Sequence, residues 1–113
     1  MKAVNRRNNF ALADVVEAAE SMPSRMKGLL GRKELPAGRG LLIKKCNGIH
    51  MFFMRFAIDA VFMADDGEVI YTLQNFKPWR VSKIVGRASQ VLELPSGVLG
   101  DNVKIGDYID FVV

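Results

Sequence analysis

Turn signals recur at short intervals along the chain, and they limit the length of any helix or strand between them. They comprise Pro23 and the segments LPAGRG (35–40), CNG (46–48), ADDG (64–67), KPW (77–79), LPSG (94–97), LGDN (99–102) and IGD (105–107). Gly, Pro, Asn and Asp at this density favour tight turns between short strands. The sequence therefore predicts a mostly β fold.

The clearest local prediction is a hairpin over residues 57–74. Apolar residues alternate along AIDAVFM and again along EVIYTLQ, and Asp66-Gly67 between them supplies a turn with positive φ. Further strands are predicted in four segments rich in β-branched and aromatic residues, namely GLLIKK (40–45), IHMFFMRF (49–56), SQVLELP (89–95) and DYIDFVV (107–113). A strand over 49–56 would carry bulky apolar groups on both sides, which is typical of a central strand.

Helix signals are confined to the N-terminal third. Capping serines, Pro23 and an apolar face ending at Gly31 predict one short helix over residues 23–31. The segment ALADVVEAAES leans towards helix by composition, although Val15 and Val16 oppose it. With 113 residues, half of them apolar, the chain is expected to form one domain over 1–113 with its own core, and residues 1–12 are polar enough to be flexible.

Composition also restricts the location and the partners. One cysteine cannot form an intrachain disulfide, the N-terminus lacks a signal-peptide pattern, and no apolar run approaches the roughly 20 residues of a membrane-spanning helix. We therefore expect a soluble cytoplasmic protein. The net charge of +4 is uneven, with 11 Lys and Arg against 4 Asp and Glu in residues 1–58. Because these cations are scattered, the sequence disfavours nucleic-acid binding.

Cys46 and His50 are the chain's only cysteine and histidine, and they admit three interpretations. A buried structural histidine beside an inert thiol is the first. A Cys–His nucleophilic pair is the second, although four extended residues separate the two by about 13 Å. A copper(I) site with Met51 or Met54 is the third. A structural zinc lacks ligands, and phosphate-binding loops, dinucleotide fingerprints and hydrolase motifs are absent, so we predict no catalytic residues, no metal and no cofactor.

A larger pattern resembles a known family. The ordered segments RMKGLLGRKELPAGRGLLI, CNGIHMFFMRFAIDAVFMADDGEVI, KPWR, QVLELPSG and IGDYIDF resemble the bacterial and archaeal proteins grouped as domain of unknown function 192. The resemblance covers about residues 14–113. It implies a compact, largely antiparallel β-sandwich or flattened barrel with the one short helix, and it changes ADVVEAA from helix to strand at a sheet edge.

The resemblance also marks candidate site residues without supplying an activity. The polar or aromatic positions of the motif fall at predicted strand ends and turns, where a rigid scaffold can build a site: His50, Arg55, Asp59, Trp79, Arg80 and Glu93. We expect His50, Arg55 and Asp59 to surround one concave patch with Trp79-Arg80 at its rim, suited to a carboxylate or phosphate. The alternative is a scaffold role, in which Arg55 and Asp59 pair and Trp79 closes the sandwich end.

Three classes of function follow from these residues. We favour a ligand-binding or partner-binding accessory module for a small anionic ligand or a protein, and relatives encoded near secretion or pilus genes link it to those systems by association alone. A small enzyme or metal site using His50, Cys46 and Asp59 is the first alternative, and a weak nucleic-acid binder is the second.

Overall fold

The described part of the chain folds into eight short strands. The structure, a computed structural model, describes residues 1–20 and 34–113. Its strands are β1 (Lys2–Asn5), β2 (Ala11–Ala13), β3 (Val15–Ala19), β4 (Arg39–Lys44), β5 (Ile58–Met63), β6 (Val69–Phe76), β7 (Gln90–Pro95) and β8 (Ile109–Val112). The described residues contain no helix, so the predicted mostly β fold is confirmed. The helix predicted over 23–31 lies outside the described residues.

The strands form two sheets that pack against each other. One has three strands in the order β2-β1-β8, and the other has five in the order β3-β4-β7-β5-β6. Every pairing is antiparallel except that of β3 with β4. Among the described residues each sheet ends in two edge strands, so the flattened-barrel alternative is wrong. The largely antiparallel arrangement of two packed sheets is confirmed.

The N-terminal residues take part in both sheets. Part of the segment expected to be flexible, residues 1–12, forms β1 and most of β2, and β1 also pairs with the C-terminal strand β8. The segment ADVVEAA contains the edge strand β3, as the family resemblance implied. Pairing of β3 with β4 outweighs the helix propensity of its Ala and Glu residues, because propensity is a weak preference next to tertiary contacts.

The predicted hairpin is confirmed as β5 and β6. The turn between them closes when Gly67 N donates to Ala64 O at 3.0 Å and Glu68 N donates to Asp66 Oδ1 at 3.0 Å. Gly67 has a φ of +91°, and a Cβ at this position would collide with the carbonyl oxygen of Ile109 in β8. Only glycine therefore allows the hairpin turn to lie this close to the three-stranded sheet.

The five-stranded sheet carries a hydrophobic core on each face. The first core lies between the two sheets, since it combines residues of β1, β2 and β8 with Leu42, Val61, Leu92 and Leu94 of the larger sheet. The second core lies on the opposite face, where Ile43, Ile58, Ala60, Phe62 and Val91 meet side chains from loops. The hairpin strand β5 serves both cores, because all six of its residues are buried.

Loops cover the second core. We call residues 45–57 and 77–89 the loop layer, because they supply Cys46, Ile49, Met51, Met54, Val85 and Ala88 to this core. The strand predicted over 49–56 is wrong. Within residues 1–20 and 34–113 the segment forms one isolated bridge, between His50 and Val81, and it then turns at Phe52 and Phe53. Bulky apolar groups on both sides of the segment, which suggested a central strand, are accommodated by this turn, because Met51 and Met54 are buried while Phe52 and Phe53 are exposed.

Candidate functional site

Two segments of the loop layer run alongside each other and hold each other through their backbones. Met51 N donates to Arg80 O at 2.7 Å, and Trp79 N donates to Met51 O at 2.8 Å. Farther along, Ser82 N donates to Ile49 O at 2.9 Å, while Ile49 N donates to Ser82 Oγ at 2.9 Å. These bonds, with Ile49 and Met51 anchored in the second core, fix the backbone beneath any side chain that projects from it.

Several large apolar side chains project from this backbone into solvent. Phe53 is 65% exposed, Trp79 60%, Val81 62% and Ile84 70%, and Phe52 is also exposed. We call these five residues the exposed apolar surface. We include Ile84 in this surface because its side chain reaches the other segment of the loop layer, where a Cβ at Gly48 would lie 2.7 Å from Ile84 Cδ1. Contiguous exposed apolar groups mark binding surfaces more often than they serve stability.

The aromatic residues of this surface are held in an unusual backbone geometry. Phe53 and Trp79 have φ values of 65° and 69°, in the left-handed region that bulky residues rarely adopt. Their ring centroids are 5.0 Å apart in an edge-to-face contact. Phe52 lies between the rings of Trp79, at 6.1 Å, and His50, at 4.8 Å. Backbone strain that leaves these rings exposed, and so gains no burial, points to a functional role.

The loop layer is cationic throughout. Its two segments contain six exposed cations and no Asp or Glu: Lys45, Arg55, Lys77, Arg80, Lys83 and Arg87. Lys83 Nζ lies 4.3 Å from the centre of the Tyr71 ring, and Arg87 is 3.7 Å from Glu68. Among the described residues Arg55 and Arg80 form no ion pair, so their guanidinium groups are available to an anion.

The predicted site residues divide into two groups. His50, Trp79 and Arg80 come together in the loop layer, through the His50–Val81 bridge and the bonds of Met51 to Arg80 and Trp79. Arg55 follows in the same layer. Asp59 and Glu93 are fully buried in the neighbouring strands β5 and β7.

The two acidic candidates lie on opposite faces of the larger sheet. Asp59 pairs with Leu94 and Glu93 pairs with Ala60. Directly paired residues share a face, so Asp59 lies on the face of the first core and Glu93 on the face of the second. The loop layer covers only the second face. The six candidates are therefore not arranged around one patch, and a ligand-binding role for any of them stays a prediction.

Asp59 is surrounded by backbone donors. Its Oδ1 accepts from Asn75 N at 2.8 Å, and its Oδ2 accepts from Leu99 N at 2.9 Å and Gly97 N at 3.1 Å. The carboxylate thus links β5 to the end of β6 and to the loop after β7. A buried carboxylate with this many donors stabilises the fold locally, and its partners are amides where the sequence suggested Arg55.

The thiol and the imidazole also contact backbone groups. Cys46 Sγ donates to Gly48 O at 3.0 Å, and His50 Nδ1 accepts from Phe52 N at 3.4 Å. No hydrogen bond joins Cys46 to His50. Across residues 1–20 and 34–113 no group of three or more His, Cys, Asp or Glu side chains is placed to hold a metal ion.

Sequence reasoning missed a polar cluster at the end of β1 in the three-stranded sheet. Asp107 accepts from Arg7 Nε at 2.8 Å, Asn5 Nδ2 at 2.9 Å and Lys104 N at 2.8 Å. The Arg7 hydrogen bond, aided by Asn5 and Lys104, lowers the pKa of Asp107 to about 2. No local signal joins groups so far apart along the chain. Sequence reasoning also missed Phe52 and Phe53, although two adjacent Phe residues cannot share one face of a strand.

The fold and the loop layer together define a small all-β domain of two packed sheets with a cationic apolar surface on one side. The family model for domain of unknown function 192, DUF192, described as uncharacterized ACR, matches residues 3–111. The chain belongs to this family, and the resemblance read from its motifs is confirmed.

Two curated relatives agree with this assignment. A UPF0127 protein of Pyrococcus horikoshii is 30% identical over 111 residues, covering 89% of this chain and 96% of that one. A UPF0127 protein of Thermococcus sibiricus is 42% identical over 66 residues, which span 58% of this chain and less than half, 42%, of the relative.

Two crystal structures share the fold. A protein of unknown function from Novosphingobium aromaticivorans has a TM-score of 0.79 and 20% identity, covering 97% of this chain and 82% of its own. A protein from Sinorhizobium meliloti has a TM-score of 0.76 and 24% identity, covering 96% and 89%. The part of this chain that the structure describes has no helix long and apolar enough to cross a membrane.

Proposed function

We propose that the chain is a binding or accessory module that recognises an anionic ligand or partner through the loop layer, without catalytic machinery of its own. One observation carries the proposal: Phe53 and Trp79 are mostly exposed although the backbone holds them in the left-handed region. Such strain persists only where the surroundings enforce it, and rings exposed at that cost are suited to contacting another molecule.

Charge indicates the nature of that molecule. Arg55 follows Phe53 closely in the chain and Arg80 comes directly after Trp79, and the loop layer contains no carboxylate to compete for them. Guanidinium groups bind carboxylates, phosphates and sulfonates through paired hydrogen bonds. A ligand with an anionic group beside an apolar one would satisfy both parts of the surface.

The dye anilinonaphthalene sulfonate combines both features and serves as a general probe. We expect it to bind the folded protein and to quench the emission of Trp79, the chain's single tryptophan, by energy transfer. Phe53→Ser and Arg80→Gln should weaken binding. Ile105→Ser is the matched control, because Ile105 is 67% exposed but lies outside the loop layer. Equal weakening by Ile105→Ser, or no binding by the folded protein, would refute the proposal.

A further inference from the structure

The exposed apolar surface contains aliphatic as well as aromatic side chains. Of the ten large apolar side chains exposed in the described part of the chain, five belong to it. Val81 forms a backbone bridge with His50 and Ile84 lies against Gly48, so both aliphatic residues belong to the same two bonded segments as Phe53 and Trp79. This mixture resembles the apolar groups by which peripheral proteins enter the boundary between lipid headgroups and acyl chains.

The surrounding charge fits the same partner. The loop layer contains six exposed cations and no Asp or Glu, and among the described residues only Arg87 of the six pairs with an acid, Glu68. Each Lys or Arg near an anionic membrane surface contributes favourably to binding. Tryptophan is enriched at membrane–water interfaces, where its ring contacts apolar groups and its N–H stays in contact with water. Trp79 would take this position if the surface met a membrane.

Ring geometry favours lipid over single-stranded nucleic acid. Binding of single strands relies on aromatic faces on which successive bases stack. Here the Phe53 ring meets Trp79 at an interplanar angle of 62°, Phe52 meets Trp79 at 40° and His50 meets Phe52 at 31°, so these four rings do not lie in parallel planes. The aliphatic groups Val81 and Ile84 provide no stacking surface, whereas all of these groups can enter a lipid interface.

We infer that the loop layer docks onto lipid bilayers bearing anionic headgroups, with Phe53 and Trp79 in the headgroup region and Arg55 and Arg80 on lipid phosphates. This inference rests on the proposed function, because it names the partner of the same surface. The backbone bonds between the two segments and their anchors in the second core keep the rings projecting before contact, which lowers the ordering cost of binding.

The test is co-sedimentation of the full chain with vesicles of phosphatidylcholine alone and of phosphatidylcholine mixed with phosphatidylglycerol, read together with Trp79 emission. We expect binding to the mixed vesicles, a blue shift of the emission, and weakening as salt rises. Phe53→Ser should lower the partition coefficient about tenfold, and Arg80→Gln about fivefold. Ile105→Ser should leave the coefficient unchanged.

Each other outcome overturns the inference. Failure to bind the mixed vesicles refutes it, and binding without a blue shift places the contact elsewhere on the molecule. Preference for a single-stranded thymidine oligonucleotide, with quenching of Trp79 and no vesicle binding, assigns the surface to nucleic acid. The dye titration distinguishes failure of this inference from failure of the proposed function. Dye binding without vesicle binding refutes only the lipid partner, whereas loss of both refutes the proposed function as well.

Discussion

The two faces of the five-stranded sheet are covered in different ways. Strands β1, β2 and β8 cover one face with paired backbone, and the apolar side chains between the sheets are buried in the first core. The loop layer covers the other face, and its two segments share one isolated bridge. It buries Met51 and Met54 and exposes Phe52 and Phe53 within the same turn. A loop cover can therefore support a second core and a recognition surface at once.

Replacing Asp59 tests the first face most severely. Asp59→Ala removes the acceptor of three backbone N–H groups, one of them buried and two partly buried, so we expect a loss of about 3–4 kcal/mol in the free energy of unfolding. Asp59→Asn keeps one acceptor oxygen and should cost less. Urea unfolding measures both. A loss below about 1 kcal/mol for Asp59→Ala would show that the carboxylate does not support this side of the fold.

Gly67 tests the contact between the hairpin and the smaller sheet. Gly67→Ala places a Cβ against the backbone of Ile109 and puts alanine at a φ of +91°, so we expect a loss of about 3 kcal/mol. Gly97→Ala is the matched control, since its φ of +96° is similar but its Cβ would meet nothing within 4 Å. That control should cost about 1 kcal/mol. Similar losses for both variants in thermal unfolding would remove the proposed role of the close approach.

Acid should weaken the first face through Asp107. The Arg7 hydrogen bond lowers its pKa from 3.8 to about 2 in the folded state. A lowered folded-state pKa contributes stability above the unfolded value, and this stability is lost as pH falls from about 4 to about 2. Because Arg7 is half exposed, we expect the effect to be about 1 kcal/mol.

Unfolding in urea across this pH range measures the effect. The variant Asp107→Asn should remove that part of the pH dependence. Asp110→Asn is the control, because Asp110 pairs with Arg6 in solvent and should contribute less. An unchanged pH profile in Asp107→Asn would contradict the assignment.

The smallest effect on stability is expected on the second face, at Phe53. Phe53→Ala and Phe53→Gly both remove the exposed ring, but only glycine relieves the left-handed backbone. We expect Phe53→Gly to be the more stable of the two by about 1 kcal/mol, and to lie within about 1 kcal/mol of the unmodified protein. Greater stability of Phe53→Ala in urea unfolding would show that the backbone at this position is not strained.

Local patterns predicted most of the strands. Alternation along β5 and β6, with the Asp66-Gly67 turn, determines that hairpin, and β-branched runs determine β4, β7 and β8. Composition alone favoured a helix at β3. The strand forms there by pairing with β4, which lies about 20 residues farther along the chain and therefore leaves no signal in the local composition. The strand predicted over residues 49–56 was wrong for a related reason. The apolar residues of this segment are consistent with a strand, but the segment has to turn in order to cover the second core.

The candidate site was only partly readable. His50, Trp79 and Arg80 meet in the loop layer. They could be predicted together because the family motif includes both segments of this layer. Asp59 and Glu93 could not be placed relative to them, because the register between β5 and β7 determines the face to which each points. The cluster of Asn5, Arg7 and Asp107 depends on pairing of the two chain ends. Such long-range pairings leave no mark in a single sequence.

Amide hydrogen exchange with and without saturating anilinonaphthalene sulfonate tests most directly the claim that one face stabilises the fold and the other recognises a partner. We predict that the dye slows exchange at residues 47–53 and 79–85 and leaves the amides of β1, β2 and β8 unchanged. Slower exchange concentrated in β1, β2 and β8, or none in the loop layer, would contradict this division between the two faces.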